Sequence, residues 1–254
     1  MSYAQAARKL RDMRSLRLAP KLVFFFFVAA ALLSAMLLVW PNFDIAVSGW
    51  FYRPEGGFYM RDYPFFEGLR FAAHAGSRIM GFAFLLLSIL AASQRRTILG
   101  LGAKPWLFLF LGLLLGPGLV ANAIFKDHWG RARPRDIVEF AGTSQFTPAL
   151  VPAAECHRNC SFVSGDGAFG FFLPAFAYVV PISRSRRLFW LGMGLGGVFS
   201  VARLLSGAHF LSDILFAGLF VQLVLVLLSR LMFSPEETRR RWRRWMFLPN
   251  ESRN

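Results

Sequence analysis

The apolar residues of this chain fall in long blocks instead of alternating with polar ones. Blocks of this length exceed core strands and approach the roughly 20 residues that cross a bilayer as a helix. Six spans are predicted: Leu22–Trp40, His74–Ala92, Pro105–Phe125, Gly167–Val180, Leu188–Leu205 and Leu211–Leu231. The fourth is short and reaches a normal length only if Gly165 and Asp166 form its first turn. Gly112, Gly116, Pro117 and Gly118 mark the third for a kink or a close helix contact. Gly192, Gly194, Gly196 and Gly197 mark the fifth for close packing. A polar and aromatic segment runs from Pro41 to about Phe71; with Trp40 before it, its Trp50, Phe51, Tyr52, Phe58, Tyr59 and Tyr63 suit a membrane interface. His74 reads as an interfacial histidine. The expected fold class is all-α, a polytopic membrane protein with six transmembrane helices over residues 22–231. Basic segments flank it at 1–21 and 232–254.

Composition supports a membrane class. The 254 residues are 56% hydrophobic, with 29 Phe, and only 17% are charged. A soluble domain carries about 25% charged residues. A net charge of +15 would suggest nucleic acid in a soluble protein. Its placement argues otherwise. With six spans, nineteen of the 29 basic residues and only four of the 14 acids fall on the termini and loops of one face. The positive-inside rule makes that face cytoplasmic, with both termini on it and no nucleic-acid partner. The basic ends would there meet anionic lipids. Residues 1–21 are too basic and too long a leader for a simple secretory signal, so the first apolar block reads as a retained span.

Three polar stretches then share the opposite, outer face: Lys126–Arg135, Ser164–Gly165–Asp166, and Arg203 through His209 to Asp213. Lys126, Arg133 and Arg203 offer three positive charges, and the arginine fork matches two oxygens of a tetrahedral oxyanion. The start of the fourth span adds backbone N–H groups at Ser164, Gly165 and Asp166, with Gly165 permitting close approach. His209 and Asp213 are four apart and share a face if helical. The carboxylate can then fix the imidazole tautomer, and the other ring nitrogen can attack phosphorus to give a phosphohistidine. The cations would stabilise the charge that develops on the phosphoryl oxygens. Asp166 is the candidate acid for the leaving oxygen.

These stretches resemble the type 2 phosphatidic acid phosphatase superfamily of integral membrane lipid phosphatases. Lys126, Arg133 and Pro134 match its first motif in full. Arg203, His209 and Asp213 match its third, with Ala202 in place of serine. Its second motif, Pro-Ser-Gly-His, stands here as Val163–Ser164–Gly165–Asp166, so the family's acid and base histidine is an aspartate. The resemblance implies a phosphatase without metal or cofactor. His209 would be its nucleophile, Asp213 the orienting carboxylate, and Lys126, Arg133 and Arg203 the phosphate ligands, joined by the Ser164 and Gly165 backbone. Asp166 reads as the working acid or base; a structural residue at the helix start, or a lost catalytic step, are the alternatives. The implied substrate is a membrane lipid with a phosphorylated head group, met at the periplasmic side of a bacterial inner membrane. A lipid A phosphatase is favoured over an undecaprenyl diphosphate or glycerophospholipid phosphatase, a lipid phosphotransferase, or a non-catalytic lipid-binding or transport protein.

Four further assignments rest on weaker signals. His128 is a possible partner behind the site or an interfacial surface residue. Arg131 and Arg135 are likewise possible partners behind the site; otherwise they bind a second phosphate or outer-leaflet anions, or lie in the head-group layer. Cys156 and Cys160, with His157 between them, fall short of a closed zinc site; a disulfide in an oxidising compartment is the favoured reading.

Overall fold

The computed structural model describes Phe25, residues 28–37 and 39–234, Glu236 and Thr238. The basic segment 1–21 lies outside the described residues, as does nearly all of 235–254. Helices make up most of the described residues. A ten-residue apolar helix α1 (Val28–Leu37) and a short α2 (Phe43–Gly49) lead into a two-stranded ribbon, β1 (Tyr52–Arg53) against β2 (Gly57–Phe58). Then come α3 (Pro64–Ser93) and α4 (Ala103–Leu113), the latter continuing as a π-helix over Leu114–Lys126. A long polar excursion with two 3₁₀ turns leads to α5 (Gly165–Phe172), a 3₁₀ turn (Leu173–Ala175) and α6 (Phe176–Val179). The last two helices are α7 (Ile182–Leu205) and α8 (Leu211–Met232).

Local chemistry accounts for several of these boundaries. Pro64, at the first position of α3, fixes a helical φ where no N–H is needed. Ser164 caps α5, its hydroxyl accepting the Gly167 N–H at 3.2 Å. Pro117 supplies no N–H to the second long helix, which there is wound wide. Asn122 Nδ2 donates to the Pro117 carbonyl at 2.7 Å. Between α7 and α8, Gly207 has a φ of +62°, and any Cβ there would overlap the Phe58 ring.

Among the described residues, four helices are long and apolar enough to cross a membrane: Pro64–Ser93, Ala103–Lys126, Ile182–Leu205 and Leu211–Met232. That corrects the expected six. The fourth predicted span, Gly167–Val180, is broken at the 3₁₀ turn around Pro174 and stops before Pro181. Residues 165–179 would reach only about 22 Å even as continuous α-helix, short of the roughly 30 Å hydrocarbon core. They are instead the buried centre of the bundle: Ala168, Phe172, Ala175, Ala177 and Tyr178 are all buried. The first predicted span is, among the described residues, only the short α1. The other spans differ in their limits. The second begins ten residues earlier than predicted, and the fifth absorbs the basic link with Arg184, Arg186 and Arg187.

α5 packs on α7, α8 and the π-wound segment, and α3 closes over α4 and α5. The α5–α7 crossing is close because Gly170 and Gly196 face each other and Gly192 backs onto Pro174. Gly194 and Gly197 meet nothing within 4 Å, so only two of the four glycines expected to pack do so. The aromatic segment after α1 is no mere anchor. Tyr52, Phe58 and Phe140 form a ring cluster with centroids 5.0–5.5 Å apart.

Candidate active site

The three polar stretches meet at one end of the bundle. There the end of the π-wound span, the start of α5, the end of α7 and the start of α8 converge. Lys126 is the last residue of its span and is buried. A Cβ on Gly165 would stand 3.0 Å from Lys126 Nζ and 2.8 Å from Asn122 Oδ1, so only glycine lets the ammonium lie over the start of α5. Gly165 and Asp166 are the first residues of that helix, whose opening N–H groups have no acceptor within it. The Ser164 N–H is spent differently from expectation: it donates to the Asp213 carbonyl at 3.3 Å.

Arg133 follows an extended segment and donates through Nε and Nη2 to the Asn159 carbonyl, at 3.2 and 2.6 Å. Burial, with Arg135 and Arg203 nearby, lowers its pKa to about 10, which leaves it a cation at neutral pH. Arg203 ends α7, with Nε 3.0 Å from Asp166 Oδ2; the contact is one of charge, since that N–H makes no directed hydrogen bond. His209 is tied to Arg203 by a tight turn in which its N–H donates to the Arg203 carbonyl at 3.3 Å.

The His209 ring is buried, and its Nδ1 lies 2.7 Å from the Ser161 carbonyl. A carbonyl only accepts, so Nδ1 carries the proton and Nε2 keeps its lone pair. Asp213 Oδ2 is farther, at 3.7 Å from Nδ1. That carboxylate receives the Ser161 hydroxyl at 2.5 Å, the Phe210 N–H at 2.8 Å and Arg131 Nη1 at 2.6 Å. Asp213 therefore acts on the imidazole both by its charge at 3.7 Å and through Ser161, whose hydroxyl it holds. Withdrawal from water lowers the His209 pKa to about 4; Arg133 and Lys126 push the same way, and Asp213 opposes them. The ring is thus neutral at pH 7. The ¹⁵N imidazole resonances of His209 in detergent micelles should titrate near 4. A midpoint near the ordinary 6.5 would contradict the buried geometry.

Of the places open to Arg131 from sequence, the structure puts it behind the site, fully buried, and not on a second phosphate or in the head-group layer. Its guanidinium donates to Asp213, Ser212, Asp44 and the Thr147 carbonyl at 2.6–2.8 Å, and it stacks on Phe210 at 4.2 Å. Asp44 also accepts the Ser212 N–H at 3.0 Å and its hydroxyl. This network joins α2 to α8 beneath the nucleophile candidate. Arg135 is partly exposed, 3.9 Å from Asp136. His128 is exposed and turned to the Ala123 carbonyl of its own segment at 3.0 Å, away from the cluster. Cys156 and Cys160 form a disulfide with Cα atoms 5.6 Å apart. It closes the turn that presents the Asn159 and Ser161 carbonyls, and the Cys160 N–H anchors that turn to the Lys126 carbonyl at 3.0 Å.

Sequence reasoning missed Asp44, Ser161, Ser212 and Asn159. Asp44 did carry a signal, as the one acid between Leu22 and Pro54. The others carried none. Among the described residues no group of three or more His, Cys, Asp and Glu is placed to hold a metal ion.

The PAP2 superfamily profile matches residues 105–236. A lipid A 4'-phosphatase of Francisella tularensis subsp. novicida is 34% identical over 204 residues, covering 79% of this chain and 90% of the relative. Two others bear the same name. One, from Rhizobium leguminosarum, is 32% identical over 165 residues, 65% of this chain and 71% of its own. One, from Rhizobium etli, is 38% identical over 124 residues, 49% of this chain and 45% of its own. No solved structure matches the chain significantly. The matched profile spans α4 to the end of α8 and so holds every one of the three polar stretches. By that profile and by the extent of the Francisella match, the chain belongs to the PAP2 superfamily.

Proposed function

We propose that this protein removes a phosphate from the head group of a membrane lipid, through a phosphohistidine on His209. The observation that carries the reading is the Ser161 carbonyl at 2.7 Å from His209 Nδ1, which leaves Nε2 as a neutral nucleophile beside buried cations. In this reading Nε2 attacks phosphorus in line with the lipid oxygen. Lys126, Arg133 and Arg203, with the opening N–H groups of α5, stabilise charge on the three non-bridging oxygens. The lipid alcohol departs, and water then attacks the phosphohistidine to release phosphate. Side chains supply both nucleophile and charge, so the chemistry needs no metal. Asp213 and Arg131 hold the nucleophile from behind.

A lipid A type substrate is favoured, because all three relatives named above bear that activity. The topology proposed puts the site at the periplasmic face of a bacterial inner membrane. The support is charge placement: Arg95, Arg96, Lys104, Arg184, Arg186 and Arg187 all lie at the end of the bundle opposite the site. The segment 232–254, at the end of α8 away from the site, is then cytoplasmic and faces anionic lipids.

Purified protein in detergent, supplied with bis-phosphorylated lipid A, undecaprenyl diphosphate and phosphatidylglycerophosphate, tests this. Expected are phosphate release, fastest from lipid A, and an unchanged rate with a chelator present. Transfer of the label to another lipid would make the protein a phosphotransferase. Binding without turnover of any of the three would leave it a lipid-binding protein. Loss of activity with chelator, restored by divalent metal, would overturn the metal-free mechanism.

A further inference from the structure

The reaction above lacks a proton source. As the bond from phosphorus to a lipid alcohol breaks, its oxygen needs a proton. An ordinary carboxyl group, with a pKa near 4, carries almost none at neutral pH, whereas an imidazole readily can. The stretch Val163–Ser164–Gly165–Asp166 contains no imidazole. Asp166 directs Oδ2 at Arg203, while Oδ1 faces an imidazole from elsewhere in the chain: His74 Nε2, at 3.6 Å.

His74 lies in the third turn of α3, outside every motif that marks the site. The packing of α3 on α5 brings it there. Ala73 beside it is buried, and Gly76 lies where a Cβ would be 3.1 Å from the Phe169 ring of α5. The His74 side chain is otherwise open, 55% exposed, so the rest of its ring is free to meet a substrate. The chain's other histidines do not serve. His128 is turned to Ala123, His157 sits in the disulfide turn, and His209 is the nucleophile. The charged groups around His74 are Asp166 from α5, Arg203 from α7, and Arg70 and Arg78 one turn away on α3. Arg70 is paired with Glu67 at 2.7 Å.

We infer that His74 is the general acid and base of this site and that Asp166 is the carboxylate that orients it, an assignment resting on the phosphatase reading above. In the first half-reaction the His209 Nε2 lone pair bonds to phosphorus. The P–O bond to the lipid breaks with its electrons on oxygen. The His74 imidazolium gives that oxygen the Nδ1 proton, while Asp166 keeps the Nε2–H. In the second, neutral His74 takes a proton from water as the water oxygen bonds to phosphorus. The P–N bond then breaks, its electrons return to His209, and phosphate leaves with His74 charged again.

The test uses the full chain in mixed micelles with bis-phosphorylated lipid A. His74→Ala, and His74→Gln, which keeps a polar contact to Asp166 but no transferable proton, should each lose about 100-fold or more in kcat. KM should change by less than about threefold, since the group acts on the bond being broken. Both variants should melt with the wild type, because an exposed side chain is removed. Asp166→Asn added to His74→Ala should cost little more, because both residues act in one step. His74→Ala/Asp166→His, which moves the imidazole across the pocket, should regain at least about tenfold over His74→Ala. Either His74 variant within about threefold of wild-type kcat, a loss confined to KM, or fully additive losses with Asp166→Asn would overturn the assignment. A wild type that releases no phosphate would instead overturn the phosphatase reading, and the His74 role with it.

Discussion

His209→Ala is expected to abolish phosphate release, with kcat falling about 10⁴-fold or more. The ring is buried and fixed at Nδ1 by the Ser161 carbonyl, so its Nε2 is presented in one orientation. Lys126, Arg133 and Arg203 remain in the variant, so lipid binding should survive the loss of turnover. His209→Gln keeps much of the ring's volume but cannot form the P–N bond, and should be as inactive. Wild type quenched during turnover of ³²P-labelled lipid should carry label that is stable to base and lost in acid, as a phosphoramidate is. Neither variant should carry it. Turnover within tenfold of wild type in His209→Ala would remove this residue from the nucleophile role.

Arg131→Met is expected to cost about 3–5 kcal/mol of stability, the scale for breaking a buried ion pair from one side. Arg131 is the cation between two buried carboxylates, at 2.8 Å from Asp44 and 2.6 Å from Asp213. Its removal strands both charges in a site without water access, and it also frees α2 from α8. Arg131→Lys should recover only part of this, because an ammonium cannot reproduce a planar fork reaching two carboxylates, a hydroxyl and a carbonyl. Thermal unfolding in detergent reads the loss directly. Asp44→Asn in the Arg131→Met background should restore part of it by removing one stranded charge, a clear departure from additivity. A loss below about 1 kcal/mol would mean that Arg131 sits in a wetter, surface-like setting.

Much of the site was legible from spacing. Lys126 and Arg133, and Arg203, His209 and Asp213, keep distances along the chain that bring them to one end of a helical bundle, and the structure places them there. The way Asp213 reaches His209 depends on where the helix starts. A four-residue offset puts it on the His209 face only if the helix already runs through His209. Winding begins at Leu211, so Asp213 sits in the first turn and accepts the Phe210 N–H, while Nδ1 finds a carbonyl 48 residues away in sequence. For Arg131 the sequence leaves a place behind the site and one in the head-group layer equally open, because nothing local shows that Asp44, 87 residues distant, will meet it in the interior.

The sequence by itself determined that the chain is helical and membrane-embedded and which motif residues it carries. Those are properties of composition and spacing. Only the tertiary structure decided that, among the described residues, four helices and not six have membrane length. Apolar side chains are equally at home in lipid and in a packed protein interior, so hydropathy does not separate a span from the buried α5–α6 core. It alone also set His74 against Asp166 and Arg131 between Asp44 and Asp213, because contacts between distant helices follow from packing and leave no periodic trace along the chain.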